Sequence, residues 1–311
     1  MPPRMKIVVA GASGFVGRHA VRALAEHGHD VDAIFHGDAS FPNFAREVGV
    51  RATKHDLSSD DGRWNQEACV YLAGNSKHVW SVDHPLEDLH ANAVALARFL
   101  RGFSGRLVYM SSAAVYEGLA GMVAPNRGTN PTMPYAISKL ASERYVHHFA
   151  RSGAIESFVI LRLYYAFGPG ERAERLFSNL CRRVVLEGQP TFRVAGDGHS
   201  LVDPLYVTDV VSALEKALDR PETSGTYDLC GGQPTEVSKI VQDVASLGGR
   251  EVTLEVDAER REVPVRFWSD PAPVRESLNL KPPLSLAQGV EEYMSWLRGR
   301  GDTGDAGAGK S

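Results

Sequence analysis

The segment KIVVAGASGFVG, residues 6–17, decides the fold of this chain. Its first five residues predict a buried strand, and the helix-like stretch Phe15–His27 follows directly. The glycines between them allow a tight turn, a close approach of the backbone to a pyrophosphate, and close packing of the helix on the strand. The positive end of the helix would stabilise the phosphates. The segment therefore predicts a dinucleotide site, in a G-x-x-G-x-x-G spacing, that is made of Gly11, Ser13, Gly14, Phe15, Val16 and Gly17.

Outward from this segment, short apolar runs alternate with amphipathic stretches. Such an order predicts parallel strands joined by right-handed helical crossovers, and hence an α/β fold with a Rossmann-type, doubly wound parallel sheet. The predicted strands are Lys6–Ala10, Val31–Phe35, Val70–Leu72, Arg106–Met110 and Ser157–Leu163, and the predicted helices are Phe15–His27, Phe41–Val48, Leu86–Leu100 and Pro134–Arg151.

The regular alternation weakens after Phe167, and this change predicts a smaller, interleaved C-terminal substrate domain. Residues 1–167 form the predicted dinucleotide-binding domain, to which residues 203–235 return. Residues 168–202 and 236–298 form the predicted cap over the carboxyl edge of the sheet, where ligands of such sheets bind. The Gly-, Asp- and Ala-rich residues 299–311 are expected to be a disordered tail.

Composition narrows the classes of function. The 311 residues are 43% hydrophobic and 23% charged, which suits a globular enzyme with a full core. A formal charge of −4 without a basic cluster excludes a nucleic-acid partner. The sequence contains neither a signal peptide pattern nor an apolar run of about 20 residues, so a cytoplasmic protein without membrane contact is expected. Cys69, Cys181 and Cys230 lack the spacing of metal ligands, and no metal is predicted.

Later strands add candidate cofactor contacts. Asp56, followed by Leu57, could accept a hydrogen bond from the adenine amino group. The segment of Leu72, Ala73 and Gly74, with its small side chains, would pass beneath the cofactor. At the end of the second strand an acid would favour NAD and an arginine NADP. The chain has His36 there, with Asp38 and Arg18 within possible reach. NAD is the expected cofactor, and NADP stays open.

The chemistry is predicted to lie with Ser112, Tyr135 and Lys139. Tyrosine and lysine four residues apart share one helix face, so the ammonium could lower the pKa of the phenol and let Tyr135 act as a general base. Ser112, at the end of a strand, would hydrogen-bond the same substrate oxygen. Lys139 could also hold the nicotinamide ribose. The three residues predict hydride transfer between a substrate carbon and a nicotinamide cofactor.

These motifs resemble the extended short-chain dehydrogenase/reductase family, the NAD-dependent epimerases and dehydratases of nucleotide sugars. The resemblance extends to LRLYYAFGP, residues 161–169, and implies that Tyr164 contacts the cofactor. Relatives that eliminate water or carbon dioxide carry acids after the active-site serine or threonine, where this chain has Ala113 and Ala114. The resemblance therefore implies a 4-epimerase that binds a nucleotide-diphosphate sugar and passes through a keto-sugar intermediate.

The substrate contacts depart from the family pattern. Asn75 and Lys77 should border the pocket beside Ser112, and Arg260 (or Arg261) matches a phosphate-binding arginine of the family. Tyr165 and Val202 replace the usual Asn and Arg. A diphosphate left without partners is costly, and four arginines could compensate, namely Arg172, Arg175, Arg182 and Arg183.

Two rival functions remain open. One is an NADP-dependent reductase of a keto-sugar nucleotide or of another small carbonyl compound, which would use the same residues. The other is a non-catalytic dinucleotide sensor, against which the intact Ser112, Tyr135 and Lys139 argue. The resemblance also implies a homodimer that packs through the apolar stripes of Leu89–Leu100 and Ile137–Phe149.

Overall fold

A seven-stranded parallel sheet forms the centre of the computed structural model, which describes residues 4–59, 61–257 and 264–301. The strands lie in the order β3-β2-β1-β4-β5-β6-β7, and every neighbouring pair is parallel. This order confirms the predicted α/β fold with a Rossmann-type sheet. The strands are β1 Lys6–Ala10, β2 Asp30–Phe35, β3 Arg51–Lys54, β4 Ala68–Tyr71, β5 Arg106–Ser112, β6 Ser157–Leu163 and β7 Gly225–Leu229.

Helices cover both faces of the sheet. They are α1 Phe15–Glu26, α2 Phe41–Glu47, α3 His78–Asp83, α4 Pro85–Leu89, α5 Ala95–Arg101, α6 Pro134–Arg151, α7 Leu176–Leu180, α8 Val207–Leu218, α9 Val237–Leu247, α10 Ala272–Leu278 and α11 Leu286–Gly301.

Alternate residues of each central strand point to opposite faces and enter separate cores. On β1, Ile7 and Val9 pack with α1, α2 and α8, whereas Val8 and Ala10 pack with α5 and α6. All four side chains are fully buried. Burial on both faces explains why the central strands are continuous apolar runs rather than alternating ones.

The sheet closes with a strand from late in the chain. After residues 168–202, α8 packs against α1, and β7 then pairs with β6 at the sheet edge. Arg106 fixes this return, because its guanidinium donates to the carbonyls of Ala217, Arg220 and Thr223 at 2.6–2.9 Å. The carbonyl of Ala217 lies in the last turn of α8, where helix carbonyls lack a partner within the helix, and those of Arg220 and Thr223 lie in the loop that follows.

A second core lies around α7, α9 and α11, where Phe177, Val241 and Tyr293 are fully buried. Three short strand pairs contribute to this core: Thr191–Ala195 with Thr253–Asp257, Leu201–Val202 with Thr235–Glu236, and Tyr165–Phe167 with Pro204–Tyr206. A fourth pair, Ala120–Val123 with Arg266–Ser269, packs in a small separate core with Ala113 and Tyr116. The boundaries of the two predicted domains stay a prediction.

The C-terminal helix reaches into the segment that was predicted to be a tail. α11 continues to Gly301, so residues 299–301 are helical rather than part of the predicted tail, and residues 302–311 lie outside the described part of the chain. Among the helices that the structure describes, none is long and apolar enough to cross a membrane. Within the same residues no group of His, Cys, Asp or Glu could hold a metal ion.

Candidate active site

The three glycines of residues 11–17 have different structural roles. Gly11 has a φ of +81°, and a Cβ there would lie 2.6 Å from the backbone nitrogen of Ala73. A Cβ on Gly17 would overlap the carbonyls of Gly11 and Ala12. Both glycines thus let the turn pack against its surroundings. Gly14 precedes α1, whose first turn has neither an acidic residue nor a side-chain cap, so its N–H groups and positive dipole suit a pyrophosphate.

The end of β2 holds no free acid. His36 is exposed, and Asp38 accepts hydrogen bonds from Arg18 at 2.7 Å and from the backbone and hydroxyl of Ser40. The Arg18 guanidinium also lies over the ring of Phe44, with its central carbon 4.9 Å from the ring centre. The residues that were expected to read the cofactor ribose are therefore tied to one another, apart from His36.

Asp56 is a charged acceptor at the end of β3. The hydroxyl and the N–H of Ser58 donate to it at 2.7 and 2.9 Å and lower its pKa to about 2. A carboxylate of this kind suits an adenine amino group. Leu57 beside it is buried, and Leu72, Ala73 and Gly74 follow β4 into the same edge of the sheet.

Ser112, Tyr135 and Lys139 meet at the carboxyl end of β5. All three are buried, with 8%, 5% and 6% of their surface exposed. The Ser112 hydroxyl approaches the Tyr135 phenol and accepts the N–H of Ala114 at 3.1 Å. Lys139 donates to the carbonyl of Met110 at 3.1 Å. The predicted residues thus share one site between β5 and α6.

The expected effect of the lysine on the phenol is not found. Burial raises the pKa of Tyr135, the hydrogen bond with Ser112 is the main opposing effect, and the cation that also opposes the rise is Arg175 rather than Lys139. The reason is geometric, because the Lys139 ammonium is bound to Met110 and lies over the ring of Tyr109, 5.1 Å from its centre. Burial also lowers the pKa of Lys139 to about 8.

A buried polar cluster behind the catalytic helix was missed by the sequence analysis. Asp88 is fully buried and accepts hydrogen bonds from Asn75 at 2.6 Å, Asn92 at 3.1 Å and Ser138 at 2.6 Å. Asn92 lies in a π-helical turn between α4 and α5, a local irregularity that is frequent at functional sites. Its amide oxygen faces Gly74, where no Cβ could fit. The available signal was the i, i+4 pair of Asp88 and Asn92 within the stretch Leu86–Leu100.

His78 lies directly against the catalytic tyrosine. The imidazole stacks on the Tyr135 ring, with 4.3 Å between the ring centres and 28° between the planes. Desolvation, and then the Arg175 cation, lower the pKa of His78, so the ring is neutral at pH 7. Lys77 beside it is exposed, and Asn75 accepts the Lys77 N–H at 2.9 Å.

Tyr165 belongs to a second cluster, which it forms with Glu171 and Arg175. Its hydroxyl donates to Glu171 at 3.1 Å, and Arg175 donates to the same carboxylate oxygen at 3.3 Å. The Arg175 guanidinium lies over the Tyr165 ring, with its central carbon 4.4 Å from the ring centre. Burial raises the pKa of Glu171 to about 7.

The other candidate substrate contacts are dispersed. Arg172 pairs with Glu174 at 3.4 Å, and Arg182 and Arg183 are exposed on the turn after α7. Val202 is half-buried in a short strand. Tyr164 lies at the end of β6, where its N–H donates to Leu229 at 3.1 Å. Arg260 and Arg261 lie outside the described residues.

The fold and the site together define a dinucleotide-binding enzyme with an acid–base centre at the carboxyl edge of a Rossmann-type sheet. The family model described as "NAD dependent epimerase/dehydratase family" matches residues 7–230, and the chain belongs to that family.

Known proteins of this type cover nearly the whole chain. An uncharacterized UDP-glucose epimerase, YtcB, of Bacillus subtilis (strain 168) is 27% identical over 320 residues, which cover 94% of this chain and 98% of the relative. The GDP-6-deoxy-D-mannose reductase of Pseudomonas aeruginosa is 26% identical over 307 residues, with 93% and 96% covered. The solved structure of MoeE5 in complex with UDP-glucuronic acid and NAD is 28% identical, with a TM-score of 0.82 and 95% and 99% covered.

Proposed function

We propose that this enzyme is an NAD-dependent nucleotide-sugar epimerase that inverts C4 of the sugar through a keto intermediate. The observation that carries the proposal is the buried meeting of Ser112, Tyr135 and Lys139, with Ala113 and Ala114 where an eliminating enzyme would have acids. A site with these residues can remove and return a proton on a hydroxyl. It has no second acid beside the serine to expel water.

The chain's own groups suit the cofactor. The uncapped start of α1 would bind the pyrophosphate, the charged Asp56 would accept the adenine amino group, and Lys139 would hold the nicotinamide ribose. A bound nicotinamide supplies the acceptor for the hydride that leaves the sugar carbon, and the donor when the hydride returns. Because each cycle restores the cofactor, the protein consumes no external reductant.

Proton transfer is the task of Tyr135. Its phenolate takes the proton of the C4 hydroxyl as the C–H bond breaks, so that a C=O bond forms at C4. Ser112 holds the same oxygen. The keto sugar then rotates in the site so that its other face is presented. C4 regains a hydride on that face, and the phenol of Tyr135 returns the proton to the oxygen. Atoms and charge balance over the cycle.

Arg175 is the cation that favours the phenolate, and Lys139 is the cation that would hold the nicotinamide ribose. Burial raises the pKa of Tyr135 in the chain itself, and Arg175 acts in the opposite direction. With its pKa near 8, Lys139 is mostly charged at pH 7 and loses its charge just above that pH. Activity should therefore fall on the alkaline side once Lys139 is neutral.

Substitution of Tyr135 by Phe tests the proposal. Purified protein should convert UDP-glucose, or another sugar nucleotide of a small panel, to its C4 epimer without added reductant. Tyr135→Phe should lower kcat by about 10²- to 10⁴-fold, the usual contribution of a general acid–base. Tyr145→Phe, at an exposed tyrosine on the same helix, is the matched control. Equal activity of the Tyr135→Phe variant and the wild type would refute the assignment.

The second candidate, an NADP-dependent reductase of a keto-sugar nucleotide, is favoured by the end of β2. Asp38 already accepts hydrogen bonds from Arg18 and Ser40. The exposed His36 is therefore the side chain at the end of β2 that remains available to the ribose. An imidazole without a free acid suits a 2′-phosphate better than a 2′-hydroxyl. Mass analysis of the dinucleotide released on denaturation distinguishes the cofactors, and consumption of NADPH at 340 nm would identify the reductase.

An exposed apolar surface on α3, α4 and α6 supports the proposed homodimer. Exposed apolar side chains follow α3, α4 and α6, with Val79 61%, Val82 58%, Leu86 69%, Ile137 44% and Tyr145 46% exposed. An apolar surface of this kind marks an interaction site. Light scattering should give the mass of a dimer, and Ile137→Glu should give that of a monomer.

A further inference from the structure

Residues 75–81, which follow β4, are tied to the catalytic helix α6 by one buried carboxylate. Asp88 is fully buried, and it accepts a hydrogen bond from the Asn75 amide at 2.6 Å and another from the Ser138 hydroxyl at 2.6 Å. Ser138 lies one turn after Tyr135 on α6. Because a buried carboxylate is costly to leave without donors, these two bonds fix segment 75–81 relative to the start of α6.

A second tie joins segment 75–81 to Tyr135 itself. The Ser81 hydroxyl accepts the Tyr135 N–H at 3.1 Å and donates to the carbonyl of His78 at 2.6 Å. Tyr135 lies in the first turn of α6, where N–H groups have no partner within the helix. Ser81 is fully buried, so this bridge is shielded from water. The backbones of Tyr135 and His78 are therefore held by the same side chain.

The side chains of these two residues form a stack. The imidazole of His78 lies on the phenol ring of Tyr135, with 4.3 Å between the ring centres and 28° between the planes. Aromatic rings in such contact attract each other. Tyr135 is 5% exposed, whereas His78 is exposed. The imidazole is thus the outer layer of the pair and covers one face of the catalytic ring on its solvent side.

His78 contributes a neutral ring to this pair. Desolvation lowers its pKa to about 4. The charged groups that act on it are three cations, which lower the pKa further, and one acid, which opposes them: Arg175, Lys139, Arg172 and Asp88. Within the described part of the chain, the imidazole nitrogens form no hydrogen bond. The stack, rather than a charge or a hydrogen bond, is therefore the contact that His78 makes with Tyr135.

We propose that His78 is a positioning residue for the reaction, whose ring packs on the Tyr135 phenol and keeps its hydroxyl directed at Ser112 and the sugar oxygen. A tyrosine side chain rotates about two bonds, and Ser112 constrains only the hydroxyl end. A general base acts only when it is aimed at the proton that it takes. A second ring fixed to the same buried anchors supplies that constraint. This inference rests on the proposed epimerase function, in which Tyr135 moves the proton, and adds a residue to it.

Kinetics of three proteins test the proposal: the wild type, His78→Ala and His78→Phe, with a sugar nucleotide that the wild type converts. His78→Ala removes the stack and should lower kcat by about tenfold, the order of magnitude of the interaction between two aromatic rings. KM for the sugar nucleotide should stay unchanged, because His78 acts on the tyrosine and not on the ligand. His78→Phe restores a flat ring and should recover most of kcat. Above about pH 6 its kcat profile should have the shape of the wild-type profile, since the imidazole is neutral there.

His84→Ala is the matched control. His84 stacks on Trp80 in a similar way, with 4.5 Å between the ring centres and 21° between the planes, and this pair does not include Tyr135. The variant loses a histidine stack from the same stretch of chain. It should keep the kcat of the wild type.

Chemical modification gives a readout that does not depend on turnover. Tetranitromethane nitrates tyrosine rings that the reagent can reach, and mass spectrometry of the peptides gives the rate at each tyrosine. Tyr145, which is 46% exposed on the same helix, serves as the internal reference. Relative to Tyr145, nitration of Tyr135 should be slow in the wild type and in His78→Phe, and several-fold faster in His78→Ala.

Each alternative has its own result. Wild-type kcat and wild-type protection of Tyr135 in His78→Ala would overturn the proposal. A His78→Phe protein that protects Tyr135 but is as slow as His78→Ala would assign the role to the imidazole nitrogens and overturn it as well. A loss in KM or in dinucleotide affinity, with kcat unchanged, would make His78 a ligand contact instead. A wild type that retains its dinucleotide but epimerises no sugar nucleotide would overturn the epimerase function, and the nitration rates would still decide whether His78 holds the Tyr135 ring.

Discussion

Replacement of Lys139 by Met should abolish activity and stabilise the fold. Lys139 is 6% exposed, and desolvation lowers its pKa from 10.5 to about 8. Each pKa unit corresponds to about 1.4 kcal/mol, so the buried charge costs the native state about 3 kcal/mol at pH 7. Met has a similar length and carries no charge, so its side chain can fill the same space.

The pH dependence distinguishes this effect from general repacking. Between pH 8 and 10.5 the unfolded lysine still binds its proton whereas the folded one has lost it, so the stability of the wild type rises with pH. The cost is fully present below pH 8 and vanishes above 10.5. Tyrosines that ionise in this range are common to both proteins and cancel in the difference.

Urea unfolding of the two proteins at pH 7 and at pH 10.5 measures the difference. Loss of the hydrogen bond to Met110 costs about 1 kcal/mol at either pH, so Lys139→Met should be more stable than the wild type by about 2 kcal/mol at pH 7 and slightly less stable at pH 10.5. Leu140→Met on the same helix is a control for the substituted side chain. A Lys139→Met protein that is less stable at pH 7, or a difference that does not change with pH, would refute the reasoning.

Three other positions test the loop, the buried acid and the cap. Gly17→Ala should destabilise the turn and abolish dinucleotide binding, because a Cβ would overlap the carbonyls of Gly11 and Ala12; unfolding and fluorescence titration with NAD check this. Asp88→Asn removes a charge that raises the pKa of Lys139, so the alkaline limb of the pH profile of kcat/KM should move to lower pH. Glu171→Gln should stabilise the protein by up to about 3 kcal/mol above pH 7 and by little below pH 4.5, since the folded carboxyl binds its proton more tightly than the unfolded one. Unchanged urea midpoints across that range would contradict the raised pKa.

The sheet was predictable because its signals are local. Each central strand is a continuous apolar run, and the glycines at 11–17 connect strand to helix in the expected place. The strand Gly225–Leu229 was harder, because it is only partly buried along its first three residues and joins the sheet by a contact remote in sequence. Two parallel strands this far apart in sequence carry no local signal that they will pair.

Site residues were predictable where a motif brings them together. Ser112, Tyr135 and Lys139 were placed from strand and helix positions, and the structure brings them to one point. The partners of Tyr135 were not predictable, because His78 and Arg175 come from separate segments that only the fold brings together. The burial of the phenol, which raises its pKa, was not predictable either. Its burial and the direction of Lys139 depend on packing that the i, i+4 spacing does not specify.

Isotope retention tests the central claim most directly. UDP-glucose, or the member of the sugar-nucleotide panel that the protein converts, is labelled with deuterium at C4 and incubated with the purified protein in ordinary water without added reductant, and the C4 epimer is analysed by mass spectrometry. Because the hydride leaves C4 and returns to it within one active site, the epimer should keep its deuterium. Loss of deuterium to water, or its appearance in free reduced cofactor, would contradict transient hydride transfer at Tyr135.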